Sequence, residues 1–166
     1  LEEIAPPAQK RALDAGDDVE FAWDVDGARV RCSAFRDHSG LCGVFRRFLR
    51  QVPSVDALGL PEGVDALCHG GGLVVVAGAR GSGRSTTVAA LLDLINVQRA
   101  VHVVTLESPV EVVHTSKRAL IHQRCVDDRA RAIKDAADVD VIFAGDLDDE
   151  AVIEAALDAA DAGILV

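Results

Sequence analysis

The turn Gly78-Ala79-Arg80-Gly81-Ser82-Gly83-Arg84-Ser85 constrains this chain more than any other stretch. Before it, Gly72-Leu73-Val74-Val75-Val76-Ala77 reads as a buried strand. After it, Thr86 to Leu92 opens a helix that ends near Asn96. Strand, glycine loop and helix in that order form the context of a phosphate-binding loop. Glycines let the backbone curl into a concave nest whose N–H groups converge on phosphate oxygens. The helix adds its unpaired first-turn N–H groups and the positive end of its dipole. Gly78, Gly81, Ser82, Gly83, Arg84, Ser85 and Thr86 are therefore the candidate nucleotide-binding residues, for ATP or ADP. Ser85 stands where such loops place the hydroxyl that holds Mg²⁺. Arg84 stands where they place lysine. A guanidinium keeps the charge but is planar, wider and more weakly hydrated, so it sits less readily between the outer phosphates. The alternative is a strand-to-helix turn with no ligand.

Length and charge narrow the class. A chain of 166 residues holds one domain, or one plus a fragment. Aromatics make up only 4% of the chain, so Val, Leu, Ile and Ala must fill the core. A net charge of −10 argues against nonspecific nucleic-acid binding, which needs a basic surface. Residues 127–161 alone carry 12 acidic and 3 basic residues, a solvated helical face or a docking surface for a basic partner. No signal peptide and no apolar run long enough to cross a bilayer is found, so a cytoplasmic protein without direct membrane insertion is expected. The chain has no Met and begins at Leu1, and we read it as a piece of a longer protein. Cys32, Cys42, Cys68 and Cys125 show no paired short spacing, so reduced thiols are expected and no zinc site, even around Cys32, His38 and Cys42.

The expected fold class is α/β: a P-loop core with a mainly parallel sheet, preceded by a small antiparallel sheet. Residues 1–16 read as a helix end and a loop. Val19 to Val25 and Ala28 to Phe35 alternate around Asp26-Gly27, a hairpin signal, and Leu41 to Phe48 reads as a third strand. The domain division is residues 1–52 for a partial N-terminal sheet domain, 53–61 for a linker and 62–166 for the P-loop domain. Within the latter a short helix is expected over 62–69. Ala100–Leu106 and Val139–Ala144 read as buried strands, Val110–His114 and Ala119–Gln123 as shorter ones, and Gly163–Val166 as a strand cut short. Residues 127–137 and Asp149–Ala160 read as helices. Alternating strands and helices imply a parallel sheet with right-handed crossovers. Trp23 is expected in the core or over the linker. His102, His114 and His122 are expected to be structural, and Arg46, Arg47 and Arg50 form a basic cluster on a solvated face.

Carboxyl ends of parallel strands face the ligand. The 139–144 strand delivers Gly145-Asp146 there, where Mg²⁺ binds, and the 101–106 strand delivers Glu107, a candidate general base. These segments resemble the type IV pilus retraction and type II secretion ATPases, a superfamily with a RecA-like core. Gly78–Thr87 is similar to that family's phosphate loop apart from Arg84. Leu106-Glu107-Ser108-Pro109-Val110-Glu111-Val112-Val113-His114 is similar to its acidic box, with Ser108 where Asp is usual. Gln123-Arg124 is similar to a short Asn-Gln-Arg run. Asp138 to Asp146 is similar to its second metal-site motif, with Asp146 where Glu is usual. Ala28–Arg31 through Val44–Arg46 resembles the end of its small N-terminal domain.

The resemblance implies ATP hydrolysis in hexameric rings, protein partners in a motility or secretion apparatus that include homologous ATPase subunits, and an Arg at position 46 serving the site. The departures point one way. Arg84, Ser108 and Asp146 replace the usual Lys, Asp and Glu, Ser39 replaces one arginine, and Ile164 replaces the first His of a later box. A carboxylate one methylene short displaces the charge by about 1 Å, which alone costs about 10² in rate. The expectation is a degenerate member that binds nucleotide weakly and hydrolyses it poorly or not at all. A working ATPase of pilus or secretion machinery is the alternative.

Overall fold

Asp26 and Gly27 both take positive φ, 49° and 70°, as a two-residue type I′ hairpin turn requires. The turn joins β1 (Val19–Val25) to β2 (Ala28–Asp37), and β3 (Gly40–Arg47) adds to the other edge of β2, all antiparallel. The computed structural model describes Leu1, residues 3–48 and residues 51–166, which form two units. The first contains this sheet and comprises Leu1–Arg50 and Ser108–Val112; the second comprises Gln51–Glu107 and Val113–Val166. Arg50 of the expected basic cluster lies outside the described residues, while Arg46 and Arg47 are exposed on β3.

In the first unit the pleat aligns Phe21 with Cys32 on one face, and α1 (Pro7–Ala15) covers that face with Leu13. Trp23 packs, partly buried, against the same cluster. Helix α1 is longer than the helix end expected there. Proline at its first position needs no N–H partner, and Gly16 closes it in the left-handed region at φ 95°. The expected strand at Val110–His114 does not form. Its backbone groups go to side chains instead of a ladder: Arg29 Nε donates to the Val110 carbonyl at 2.9 Å, and the His114 N–H donates to Gln123 Oε1 at 2.7 Å. Arg31 pairs with Glu111 at 3.1 Å and also with Glu20. The Ser108–Pro109 peptide bond is cis.

The second unit is a parallel sheet in the order β5 (Leu120–Cys125), β4 (His102–Glu107), β6 (Val141–Phe143). Leu165 extends it, bridging in parallel to Val141 on one side and Gly72 on the other. The segment before the glycine loop therefore joins at the far edge, through Gly72 N–H to Ile164 O and Val74 N–H to Val166 O. The expectation of a buried strand over 72–77 is corrected here. Only 72–74 finds backbone partners, on one side, and while Val74 and Val76 pack toward the core, Val75 is 59% exposed. Two helices are also shorter than expected. The 62–69 segment is a 3₁₀ turn over Val64–Cys68, and α3 spans Arg129–Lys134.

Helix α2 (Arg84–Gln98) buries Ala89, Leu91, Leu92 and Ile95 against the sheet, and α4 (Glu150–Asp161) buries Val152, Ala155 and Ala156. Asn96, fully buried on α2, replaces missing strand contacts for the 115–119 loop. Its Nδ2 donates to the Thr115 carbonyl at 2.9 Å, and its Oδ1 accepts from the Lys117 N–H at 2.9 Å. A buried amide is tolerated because both ends are bonded. His114 is the contrasting case. Its Nδ1 is buried without a partner among the described residues.

Burial holds the His114 pKa below its ordinary value of 6.5, with Asp93 raising it and Lys117 lowering it to smaller extents. The folded state therefore resists a proton that the unfolded chain accepts. Stability is complete above the unfolded value and is lost as pH falls below it. We expect urea unfolding to show stability dropping between about pH 7 and about pH 5.5, above the carboxylate range, and His114→Leu to remove that share of the slope. A slope unchanged in His114→Leu rules His114 out as its source.

Candidate nucleotide site

The loop after the Gly72–Ala77 segment is built as its glycines demand. Gly81 and Gly83 lie in the left-handed region at φ 78° and 95°, where only glycine is unstrained. The Ser82 N–H closes on the Ala79 carbonyl at 3.1 Å, so the chain turns back on itself. A Cβ added at Gly78 would lie 2.5 Å from Ser82 Oγ, so a side chain there would force the Ser82 hydroxyl to rotate aside. Gly83 then hands over to α2, its carbonyl accepting from the Thr87 N–H at 2.8 Å. No side chain caps the start of α2, whereas α3 and α4 are capped by Asp128 and Asp149. Its first N–H groups are left for solvent or for an anion.

A cavity of about 410 Å³ opens beside this loop. Gly78, Arg84 and Ser85 line it, as do Gly145 and Asp146 from the tip of β6. Apolar residues line most of the rest: Leu91 and Ile95 of α2, the 73–77 segment, and the 141–144 and 165–166 stretches of the sheet. Ser85 and Asp146 thus line one cavity, and their side chains carry a hydroxyl and a carboxylate. Both are hard oxygen donors, a set that suits Mg²⁺. Among the described residues no group of three or more His, Cys, Asp or Glu is placed to hold a metal ion, and all four cysteines are free thiols.

Glu107 ends β4, beside the tip of β6: a Cβ on Gly145 would come within 2.9 Å of the Leu106 carbonyl. Thr105 Oγ1, fully buried, donates to Glu107 Oε1 at 2.7 Å and so fixes that carboxylate. The second unit therefore brings the loop and Asp146 to one cavity, with Glu107 at the neighbouring strand tip but not among the cavity's lining residues. Arg46 belongs to the first unit, on the face of the small sheet that also carries Arg31.

Two contributors are missing from the sequence reading. Thr105 was legible in principle, because residues two apart on a strand share a face. Arg129 was not. It reaches from the start of α3 to the turn after β6, donating to the Asp146 carbonyl and pairing with Asp148, and no local pattern announces a bond across that separation.

The sequence signature described as "Type II/IV secretion system protein" matches residues 20–166. The chain belongs to this family. It is 36% identical over 172 residues to the type IV pilus retractation ATPase PilT of Pseudomonas aeruginosa, covering 99% of this chain and 50% of that protein. It is 36% identical over 166 residues to a twitching motility protein of Neisseria gonorrhoeae, covering 95% of this chain and 44% of that protein. Among solved structures it superposes on the pilus retraction motor PilT with bound ADP, with a TM-score of 0.92 at 34% identity, covering 99% of this chain and 50% of the other. The family's RecA-like P-loop core, preceded by a small antiparallel sheet, is the fold of this secretion-ATPase relative. The chain spans about half the length of the curated relatives it matches. No helix among the described residues is long and apolar enough to cross a membrane.

Proposed function

We propose that this chain is a nucleotide-binding module of the pilus and secretion ATPase superfamily that has kept the phosphate cradle and lost most or all hydrolysis. The observation that carries the reading is the glycine loop, with left-handed Gly81 and Gly83 opening onto uncapped α2, in one cavity with Asp146, but with Arg84 in the lysine place. Backbone N–H groups of residues 78–85 hold the phosphates of ATP or ADP, and Ser82 and Thr86 flank them. Ser85 and Asp146 hold Mg²⁺, which neutralises phosphate charge when bound. Glu107 is the base that would orient and deprotonate water wherever hydrolysis remains, and Arg46 would supply charge to a nucleotide site. The domain division at residues 53–61 belongs to the same reading.

Magnitudes favour binding without turnover. Removing one donor that stabilises transition-state charge costs about 10²–10³ in rate, and a 1 Å displacement costs about 10². Such losses do not simply multiply, yet two of them leave little activity. Binding survives because it rests on the backbone. The module acts in the cytoplasm as a nucleotide-responsive or structural partner of other subunits in a motility or secretion apparatus, homologous ATPases among them, without nucleic acid.

The second reading is a working ATPase that drives pilus retraction or secretion as an oligomer, and the 36% identity to PilT across 99% of this chain favours it. Calorimetry and phosphate release separate the two. We expect weak heats with ATP and Mg²⁺ and phosphate release at background, with Arg84→Lys combined with Asp146→Glu raising release. A low-micromolar dissociation constant contradicts weak binding, and release at the pace of active enzymes overturns the degenerate reading.

A further inference from the structure

Asp146 lies on a turn that repels itself. Asp146, Asp148, Asp149 and Glu150 follow one another within five residues, beside a cavity that we read as a phosphate site. Like charges this close repel one another, so a cation held beside them favours the turn as it stands. Its far end is fixed, because Asp149 Oδ1 accepts from the Ala151 N–H at 2.8 Å and so starts α4. Leu147 packs partly buried against the core in the middle of the turn, and a polar side chain from elsewhere holds its near end. The Arg129 guanidinium donates through Nη1 to the main-chain carbonyl of Asp146 and pairs through Nη2 with Asp148 Oδ1. Arg129 is 18% exposed, against 64% for Asp148, so the arginine is the packed partner of the pair.

Gly145 shows how closely the pieces fit. It is left-handed at φ 75°, and a Cβ there would lie 2.9 Å from the Leu106 carbonyl and 3.1 Å from Arg129 Nη1. The tips of β4 and β6 and the guanidinium converge on that one glycine. A lysine cannot reproduce this, because a planar fork with two separated N–H groups reaches a carbonyl and a carboxylate at once, whereas an ammonium is a point charge.

We propose that Arg129 is the positioning residue for the metal-binding carboxylate: by holding the 145–148 turn it sets Asp146 in the cavity of the phosphate loop. This rests on the nucleotide reading above. Arg129 is not among the residues that line the cavity; it acts through the backbone of Asp146. Supporting partners of metal ligands are worth about 10–100-fold in metal affinity, and that is the scale we expect here.

The test compares binding of a fluorescent ADP analogue with Mg²⁺ and with EDTA. In the native chain Mg²⁺ strengthens binding. In Arg129→Ala the metal-free affinity stays as it was, because residues 78–85 are untouched, while the Mg²⁺ enhancement falls by about 10–100-fold. Arg129→Lys loses most of the enhancement too, and Asp148→Asn, which spares the bond to the Asp146 carbonyl, keeps it. Amide hydrogen exchange without any ligand is faster over residues 145–149 in Arg129→Ala than in the native chain. Enhancement that persists in Arg129→Ala, or is fully restored by Arg129→Lys, overturns the proposal and leaves the nucleotide reading standing. An equal fall in metal-free and Mg²⁺-dependent affinity overturns it as well, by showing general damage. A native chain that binds no ADP at all sinks the nucleotide reading and this proposal with it. Should Arg129→Ala not fold, Arg129→Lys and Asp148→Asn separate the same outcomes.

Discussion

Replacing Gly83 with Val is expected to abolish measurable ADP binding. Gly83 sits at φ 95°, where a Cβ meets its own backbone and a β-branched side chain is worst of all. It is also the hinge between loop and helix, its carbonyl taking the first N–H of α2 that closes a turn. A valine must pull φ negative, which turns the preceding N–H groups away from a common centre. Holding it in place costs about 2–3 kcal/mol of strain, which corresponds to about 100-fold in affinity if the cradle forms only when strained. Weak native binding then falls below detection. Gly40→Val is the control. Gly40 is left-handed at φ 123° with open space around it, but it lies in the small antiparallel sheet. It should lower the melting temperature and leave ADP binding alone. Native-like ADP affinity in Gly83→Val would show that the loop is not the phosphate cradle.

The largest loss of stability is expected from Gly71→Ala. A Cβ on Gly71 would sit 2.2 Å from the Gly163 carbonyl oxygen and 2.7 Å from its carbonyl carbon. Both are backbone atoms, so no side chain can swing aside. The next residue is the one that joins the glycine loop to the sheet, through the Gly72 N–H to the Ile164 carbonyl at 3.0 Å. One methyl group therefore pries apart the two segments that position the phosphate loop. Overpacking of this kind reaches about 3 kcal/mol, and at this chain length each kcal/mol lowers the melting temperature by about 2–4 °C, so a drop of about 6–12 °C is expected by calorimetry. Weaker ADP binding should accompany it. A melting temperature within experimental error of the native value would mean that residues 71 and 163 are not in contact in solution.

Part of this protein was readable without coordinates. Asp26-Gly27 announced its hairpin because both residues tolerate positive φ. The two strands that it joins, Val19–Val25 and Ala28–Phe35, alternate with the period of a half-buried sheet. The glycine loop was recognisable because each of its residues is constrained locally, by dihedral freedom or by the helix that follows. Asp146 was placed at a strand tip by the rule that parallel strands point their carboxyl ends at the ligand, and it lines the same cavity as Ser85.

Other elements misled for a definite reason. Val110–His114 alternates like a strand, yet Arg29 and Gln123 take its backbone groups before any neighbour can. Gly72–Ala77 is apolar enough for a central strand, but strand character depends on partners, and residues 164–166 supply them only as far as Val74. Composition cannot tell a strand with one short neighbour from a strand with two long ones.

Whatever is settled within a few residues could be read from the chain alone: where it turns, which stretches are apolar with which period, that a glycine loop leading into a helix follows Ala77, and, with the neighbouring motifs, the family. Dihedral preference and hydrophobic spacing are local, so they are written in the order of the residues. The folded arrangement was needed to show that Asn96 clasps the 115–119 loop. It was needed again to show that Arg129 holds the turn of Asp146. The bonds made by Asn96 and Arg129 join residues far apart along the chain, and they exist because helices and strand tips pack together around one parallel sheet. Packing chooses among many cations and many carboxylates, and nothing in their sequence spacing distinguishes the pair that meets.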